Sequence, residues 1–469
     1  MTTACCFPYQ TMGRVLTKAV CKKPPVHITQ RKATIPSILD WGCIFAPYLA
    51  AKYGGGIFLL VYIILALTFG YTLIMAETSL GRMTRKSPVG AFESFGNSRF
   101  VSIGGWINAI IPILIVPYYS VIGGWVIKYL IEYFAGHSKA LAGDAYFTTF
   151  ISNGWSTEIC FIIFTLFTLG IIYAGVRNGI ERVSKFMMPI LIVLSLIIAV
   201  YSVTRPGAIE GVKYFLVPNF DHFSWMTVVS AMGQMFYSLS IAMGILITFG
   251  SYMKKDTSIE KSTENVEIFD TAIAIMAGLM IIPAVFAFSG GNAATLKSGP
   301  ALMFITIPKV FANMGFGTAI GIVFFLLVLF AAVTSSIALT ESAVSTFEDE
   351  LHWSRKKSTV FMGIVMLLLG TLSCLGYGPL ANFKILGMQF LDFFDFITNS
   401  VMMPIAAIAT CLLVSKIVGV DKIEEEITKD GQAFRRKKIF CFMIKYLCPL
   451  FATIILISSI ANAFGIITM

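Results

Sequence analysis

The sequence predicts an all-α polytopic membrane protein, and three observations predict it. Hydrophobic residues make up 57% of the 469-residue chain and charged residues only 13%, where a soluble protein of this length carries roughly a quarter. The mean hydropathy is +0.81, and the surplus apolar surface must face lipid. The apolar residues fall in runs too long for barrel strands and lack period-two alternation, so helices are the spanning elements.

The runs lie at about 56–80, 101–133, 157–174, 183–204, 226–250, 265–290, 318–345, 358–376, 388–418 and 439–465. A weaker piece at 41–51 counts as half of a first span, giving eleven crossings of about 20 residues. The chain then divides into an atypical amino-terminal segment, 1–40, and a membrane domain, 41–469. Segments 205–225 and 291–317 are long, amphipathic and punctuated by Gly and Pro, which predicts helical hairpins lying on the outer face.

Orientation follows from loop charge. With the amino terminus cytoplasmic, about twenty Lys and Arg fall inside and roughly seven outside, as the positive-inside bias requires. The carboxyl end then lies outside, in a plasma-membrane protein. The net charge of +10 has the same origin, so nucleic acid is not an expected partner; the bilayer is. The nine cysteines, Cys5, Cys6, Cys21, Cys43, Cys160, Cys374, Cys411, Cys441 and Cys448, show no ligand spacing and read as small buried hydrophobes. The basic start is followed by no apolar stretch of signal-peptide length. The four histidines lie in the terminus or loops, no nucleophile–base pair appears, and an enzyme is not expected.

Ionisable groups inside apolar runs cost several kcal/mol unless paired or hydrated. Glu77, Asp270, Asp392 and Asp395 stand out. Glu77 reads equally well as a helix-end residue snorkelling to the interface and as a functional one, and Asp392 and Asp395 as outer-rim or functional residues. Asp270, placed about a turn inside an apolar helix, calls for a cation or a proton. In LFAAVTSSIALTESAVSTFEDE, Thr334 and Ser335 offer hard oxygen ligands for a small cation, although such hydroxyls also bond back to the i−4 carbonyl. In GQMFYSLSIAMGILITFGSY, Ser238, Ser240 and Gly244 mark a mid-span break. Freed half-helix ends there would offer N–H groups to an anion and carbonyls to a cation.

Together these segments resemble the neurotransmitter:sodium symporter family, in particular its bacterial eleven-helix amino-acid members, from about Pro47 onward. PYLAAKYGGGIFLLVYIILALTFGYTLIMAETSLGRMTRKSPVGAF resembles the end of the family's helix 1 and its helix 2, GQMFYSLSIAMG the unwound centre of helix 6, and LFAAVTSSIALTESAVSTFEDEL helix 8. The resemblance implies two five-helix inverted repeats with helices 1 and 6 broken, an eleventh helix, and sodium-coupled symport of an amino acid by alternating access. It implies a first sodium site with Ser238 and Asp270, and a second with Ala331, Thr334 and Ser335. Asp270 stands where many relatives have asparagine, so a fixed charge would replace chloride and no chloride requirement is expected. The implied substrate pocket comprises Ile115, Tyr119, Tyr237, Ser238, Ser240, Met243, Ser335 and Leu339. Tyr119 would hold the substrate carboxylate and Tyr237 would form a lid. Met243, in place of a common phenylalanine, leaves an adaptable wall suited to an apolar or aromatic amino acid. Tyr62, Glu77 and Gln234 match a buried polar cluster, Asp395 the acidic half of the outer gate, and Asp349 its inner counterpart. Gly179 and Pro189 match a helix 5 segment that unwinds to let water reach the second sodium.

The inner half of helix 1 departs from the family. In ILDWGCIFAPY, Gly42 stands where the sodium-binding asparagine belongs, Phe45 where the gate arginine belongs, and Ala46 in place of phenylalanine. Upstream, Pro24, Pro25 and Pro36 would break a membrane half-helix. A shifted frame or degraded gene upstream of codon 47 would give this pattern, and so would divergence; the nucleotide sequence there distinguishes them. Two alternatives accompany sodium coupling: a proton carried on Asp270, since a buried carboxylate titrates upward, and a transport-defective scaffold that keeps the shell of the fold.

Overall fold

A computed structural model describes residues 42–290 and 300–466, within the unit Thr34–Met469. The 1–40 segment, its boundary at residue 40/41, the three prolines and the side chains of Gly42, Phe45 and Ala46 lie outside the described residues. Among the described residues the regular elements are helices, with two isolated bridges, Gly55 to Pro218 and Ile385 to Met388. The labelled helices are α1 (Gly42–Lys52), α2 (Gly56–Thr84), α3 (Arg99–Phe134), α4 (Gly154–Tyr173), α5 (Glu181–Val203), α6 (Ala208–Leu216), α7 (Trp225–Ser238), α8 (Ile245–Tyr252), α9 (Ile259–Ser289), α10 (Leu302–Ala312), α11 (Gly317–Glu350), α12 (Arg355–Leu375), α13 (Phe390–Val418), α14 (Val420–Ile427) and α15 (Lys437–Ala463).

Nine of these are long and apolar enough to cross a bilayer. The described half-span α1 and the interrupted pair α7–α8 supply the other two expected crossings. The loops 205–225 and 291–317 each contain a helix, α6 and α10, while 291–299 lies outside the described residues.

The broken span is built by its backbone. Ser224 caps α7 reciprocally with Thr227, and the helix stops at Ser238. Ser240, Ala242 and Gly244 then take left-handed φ values of 51°, 59° and 69°, which no continuing α-helix accommodates. Only Gly244 does so without a steric penalty, and a Cβ there would sit 2.7 Å from the Asn108 carbonyl oxygen. The whole turn is buried, so its freed N–H groups need internal partners. Leu239 N–H donates to Met235 O, Ser240 N–H to Tyr237 O and Ile241 N–H to Phe236 O, while Ala242 N–H donates to the Glu77 carboxylate at 2.9 Å.

Glycines bring α8 against α2. A Cβ on Gly81 would lie 2.0 Å from Ile247 O, and one on Gly250 would lie 2.5 Å from Thr78 O. Without a hydrophobic drive between helices in lipid, such close backbone approach supplies the packing. It also holds Glu77 opposite the break. The central helices α3 and α11 pack along each other, and α9 lies against α5, α6 and α1.

Candidate functional site

Asp270 anchors the site. Its Oδ2 accepts from the Tyr62 hydroxyl and its Oδ1 from the Ser238 hydroxyl, both at 2.7 Å. Tyr62 comes from α2, Ser238 from the last residue of α7 and Asp270 from α9, so one buried carboxylate ties three spans together at the break. Hydrogen bonds to a charged acceptor contribute about 1.5–3 kcal/mol each. Asp270 lies deeper than the sequence suggests: α9 begins at Ile259, capped by Ser258, which puts Asp270 about three turns in. The polar first turns of α9 disguised that depth. Because Ser238 donates its proton to Asp270, its oxygen lone pairs remain able to face a cation.

Glu77 is a correction to the snorkelling reading. It is fully buried, with Oε1 fixed by Ala242 N–H. Its carboxylate braces the unwound turn and does not reach the interface. Gln234, the third member of the expected polar cluster, is buried on α7 one turn before Ser238.

On α11, Ala331, Ser335 and Leu339 follow at i, i+4 and i+8 and form one stripe; all three are buried. Thr334, also buried, donates back to Phe330 O at 3.1 Å and Ala331 O at 2.9 Å. Such a back-bond and cation binding are compatible, since a hydroxyl that ligates a cation must send its proton elsewhere. Ile115 and Tyr119 form a similar i, i+4 pair on α3, behind Pro112 and Pro117, and both are buried. Ser240 and Met243 are buried in the unwound turn, while Tyr237 is half-buried.

The two expected gate acids sit at opposite ends of the bundle. The Asp395 carboxylate near the start of α13 accepts from Tyr118 at 3.3 Å and Asn399 at 2.7 Å and stays exposed. Asp392 is likewise exposed, with Tyr377 donating to it at 2.9 Å. At the far end of α11, Asp349 accepts from Ser87 N–H at 2.7 Å. Gly179 lies in a π-helical turn, Val176–Ile180, ahead of α5, and Pro189 lies inside α5.

Sequence reasoning missed several charged groups. Glu341 on α11 is fully buried and bidentate with Arg355 at 3.1 and 2.5 Å, and Tyr252 donates to it at 2.8 Å. Glu341 lies in the 318–345 apolar run, so the test that selects Glu77 would have found it. Arg82, buried at the end of α2, pairs with Glu426 of α14 at 2.7 Å and donates to Thr257 O at 2.6 Å. Arg436 bonds Glu267 at 3.0 Å and lies over the Tyr71 ring. The partners of Arg82 and Arg436 are far apart in the chain, and only the fold joins them.

The profile of the sodium:neurotransmitter symporter family matches residues 33–161 and 150–466, beginning upstream of the Pro47 at which the motif resemblance starts. A sodium-dependent transporter of Bacillus subtilis is 31% identical over 440 residues, covering 93% of this chain and 96% of its own. A sodium-dependent transporter of Haemophilus influenzae is 29% identical, over 88% of this chain and 92% of its own. Among solved structures, MhsT in complex with L-phenylalanine superposes with a TM-score of 0.81 at 32% identity, covering 91% of this chain and 97% of that one. The all-helical polytopic fold is shared with that protein.

Proposed function

Since the chain belongs to the sodium:neurotransmitter symporter family and is thereby a sodium-coupled membrane transporter, we propose that its cargo is an apolar or aromatic amino acid, carried across the plasma membrane by alternating access. The observation that carries this reading is the Asp270 junction, where Tyr62 and Ser238 bring α2, α7 and α9 to one carboxylate beside a broken span. A monovalent cation bound there would draw the three spans together, so ion binding and helix arrangement are coupled. MhsT was solved with L-phenylalanine, which supports the aromatic end of the substrate range.

In this reading Ser238 and Asp270 serve a first sodium, and Ala331, Thr334 and Ser335 a second. Tyr119 takes the substrate carboxylate, and Tyr237 closes over a pocket walled by Ile115, Ser240, Met243, Ser335 and Leu339. The fixed charge of Asp270 makes chloride unnecessary. The amino terminus is cytoplasmic, and Asp395 and Asp349 guard the outer and inner ends.

Uptake of radiolabelled phenylalanine and leucine into proteoliposomes tests the proposal. Accumulation should require external sodium, vanish with potassium, and continue when gluconate replaces chloride. Uptake driven by a pH gradient without sodium would instead favour the proton-coupled alternative. Loss of uptake when chloride is withdrawn would refute the role given to the Asp270 charge.

A further inference from the structure

The basic residues around the start of α15 fall into two groups. Arg436 and Lys437 pair with acidic residues of the protein, the first with Glu267 at 3.0 Å and the second, at the surface, with Glu424 at 2.7 and 2.6 Å. Lys416, Lys438 and Lys445 are exposed and pair with no acidic residue among the described residues. Lys445 is the unusual one. It lies eight residues into a membrane-crossing helix, about 12 Å along the axis, on the exposed side of α15 that also carries Lys438. The exposed side of α15 around it is lipid-type surface: Phe442, Tyr446 and Leu450 are 54%, 64% and 51% exposed. The segment Met443–Leu447 packs against Leu413–Val418, which carries Lys416 and the exposed Ile417.

An ammonium on the lipid-facing side of a span costs several kcal/mol unless it snorkels or meets an anion. Three lysines sharing that burden along the seam between α13 and α15, with aromatic and aliphatic side chains continuing toward the bilayer centre, match an anionic amphiphile. We propose that this seam binds an anionic phospholipid. Lys416, Lys438 and Lys445 take the headgroup phosphate, and Phe442, Tyr446 and Leu450 line the acyl chain. The length of the apolar strip selects a lipid over a free anion, because inorganic phosphate would use the lysines and nothing below them.

The test compares lipid carried by the purified full chain, read by native mass spectrometry after reconstitution in mixed phosphatidylcholine and phosphatidylglycerol. The wild type should retain phosphatidylglycerol in preference. Replacing both Lys438 and Lys445 by Gln should cut that preference roughly thirtyfold, at about 1 kcal/mol per lysine near a charged surface. Replacing both by Arg should keep it. Lys422→Gln, an exposed change on α14 that leaves the three seam lysines in place, should leave it intact and reports whether bulk charge matters. Equal retention of the two lipids by the wild type would overturn the proposal, as would an equal loss in the Lys422 variant. Displacement of the lipid by inorganic phosphate would also overturn it, by assigning the lysines to a free anion.

Discussion

The helix break and the charged rim where α2 meets α14 and α11 meets α12 both bury carboxylates, and they compensate them differently. At the rim, Glu426 meets the guanidinium of Arg82 at 2.7 Å, with Lys429 also against it, and Glu341 meets Arg355. At the break, Glu77 is held by one backbone N–H from Ala242, and Asp270 accepts from the hydroxyls of Tyr62 and Ser238. Charge answered by resident charge locks elements in place: α14 to α2, and α12 to α11. Glu77, answered by a backbone dipole of the unwound turn, is held more weakly and is more easily rearranged, because a dipole solvates a carboxylate without cancelling it. The rim therefore reads as fixed structure, and the break as the part able to respond to a mobile cation.

The largest expected effect breaks the rim. Arg82→Ala leaves Glu426 buried, with Lys429 as its remaining basic contact. Removing one partner of a buried pair costs about 3–5 kcal/mol, read as a lower thermal unfolding temperature in detergent. The double variant Arg82→Met with Glu426→Leu should recover most of the loss, because no charge is then stranded. If Arg82→Ala unfolds like the parent, the rim pair is not holding α14. The contrast with the break would then fail on its structural side.

The second effect tests the break. Asp270→Ala should lower sodium-driven uptake roughly a hundredfold, corresponding to about 3 kcal/mol, with a much smaller drop in thermal stability than Arg82→Ala. Asp270→Asn keeps an acceptor for Tyr62 or Ser238 and removes the charge, so uptake should become dependent on chloride. Normal chloride-free transport by Asp270→Asn would show that hydrogen bonding alone, without the charge, suffices at this site.

How much of this was legible without coordinates depended on the range over which each signal acts. Span positions, the break at 239–244 and the isolation of Asp270 were all readable, because each is a local conflict between a polar or helix-breaking residue and an apolar run. Segments 205–225 and 291–317 were readable as helical from amphipathic pattern and turn residues but not as hairpins, since the described residues hold one helix in each, α6 and α10, with only a short 3-10 turn at Phe220–His222 beside the first. Partners were not. Nothing near Glu77 in sequence announces Ala242, 165 residues away, and nothing near Arg82 announces Glu426. Glu341 escaped for a different reason: it sits beside the Thr–Ser–Ser cluster, which drew attention to hydroxyls on the same helix. The depth of Glu77 stayed open between the interface and the interior, because only the glycine-mediated contact of α8 with α2 brings the break to it.

The smallest expected effect concerns the kinetics of ion release. Pro189 lies inside α5 and has no N–H, so the carbonyl of Lys185, four residues earlier, receives no ladder hydrogen bond from it. Ten residues upstream, Gly179 sits in the π-helical turn with room for no Cβ, since one there would meet Ile171 O at 2.0 Å. The segment between them is thus bounded by a missing hydrogen bond and an irregular turn, and opening it costs less than opening regular helix. Pro189→Ala restores one hydrogen bond, worth about 1 kcal/mol. It should slow sodium release to the inside roughly fivefold, with equilibrium sodium and substrate affinity unchanged. The measurement is release from preloaded proteoliposomes set beside equilibrium binding in detergent. A variant that releases sodium at the parental rate would leave α5 as a passive strut. Equal slowing of binding and release would place the effect on overall rigidity, and the mobile part of the molecule would then be the break alone.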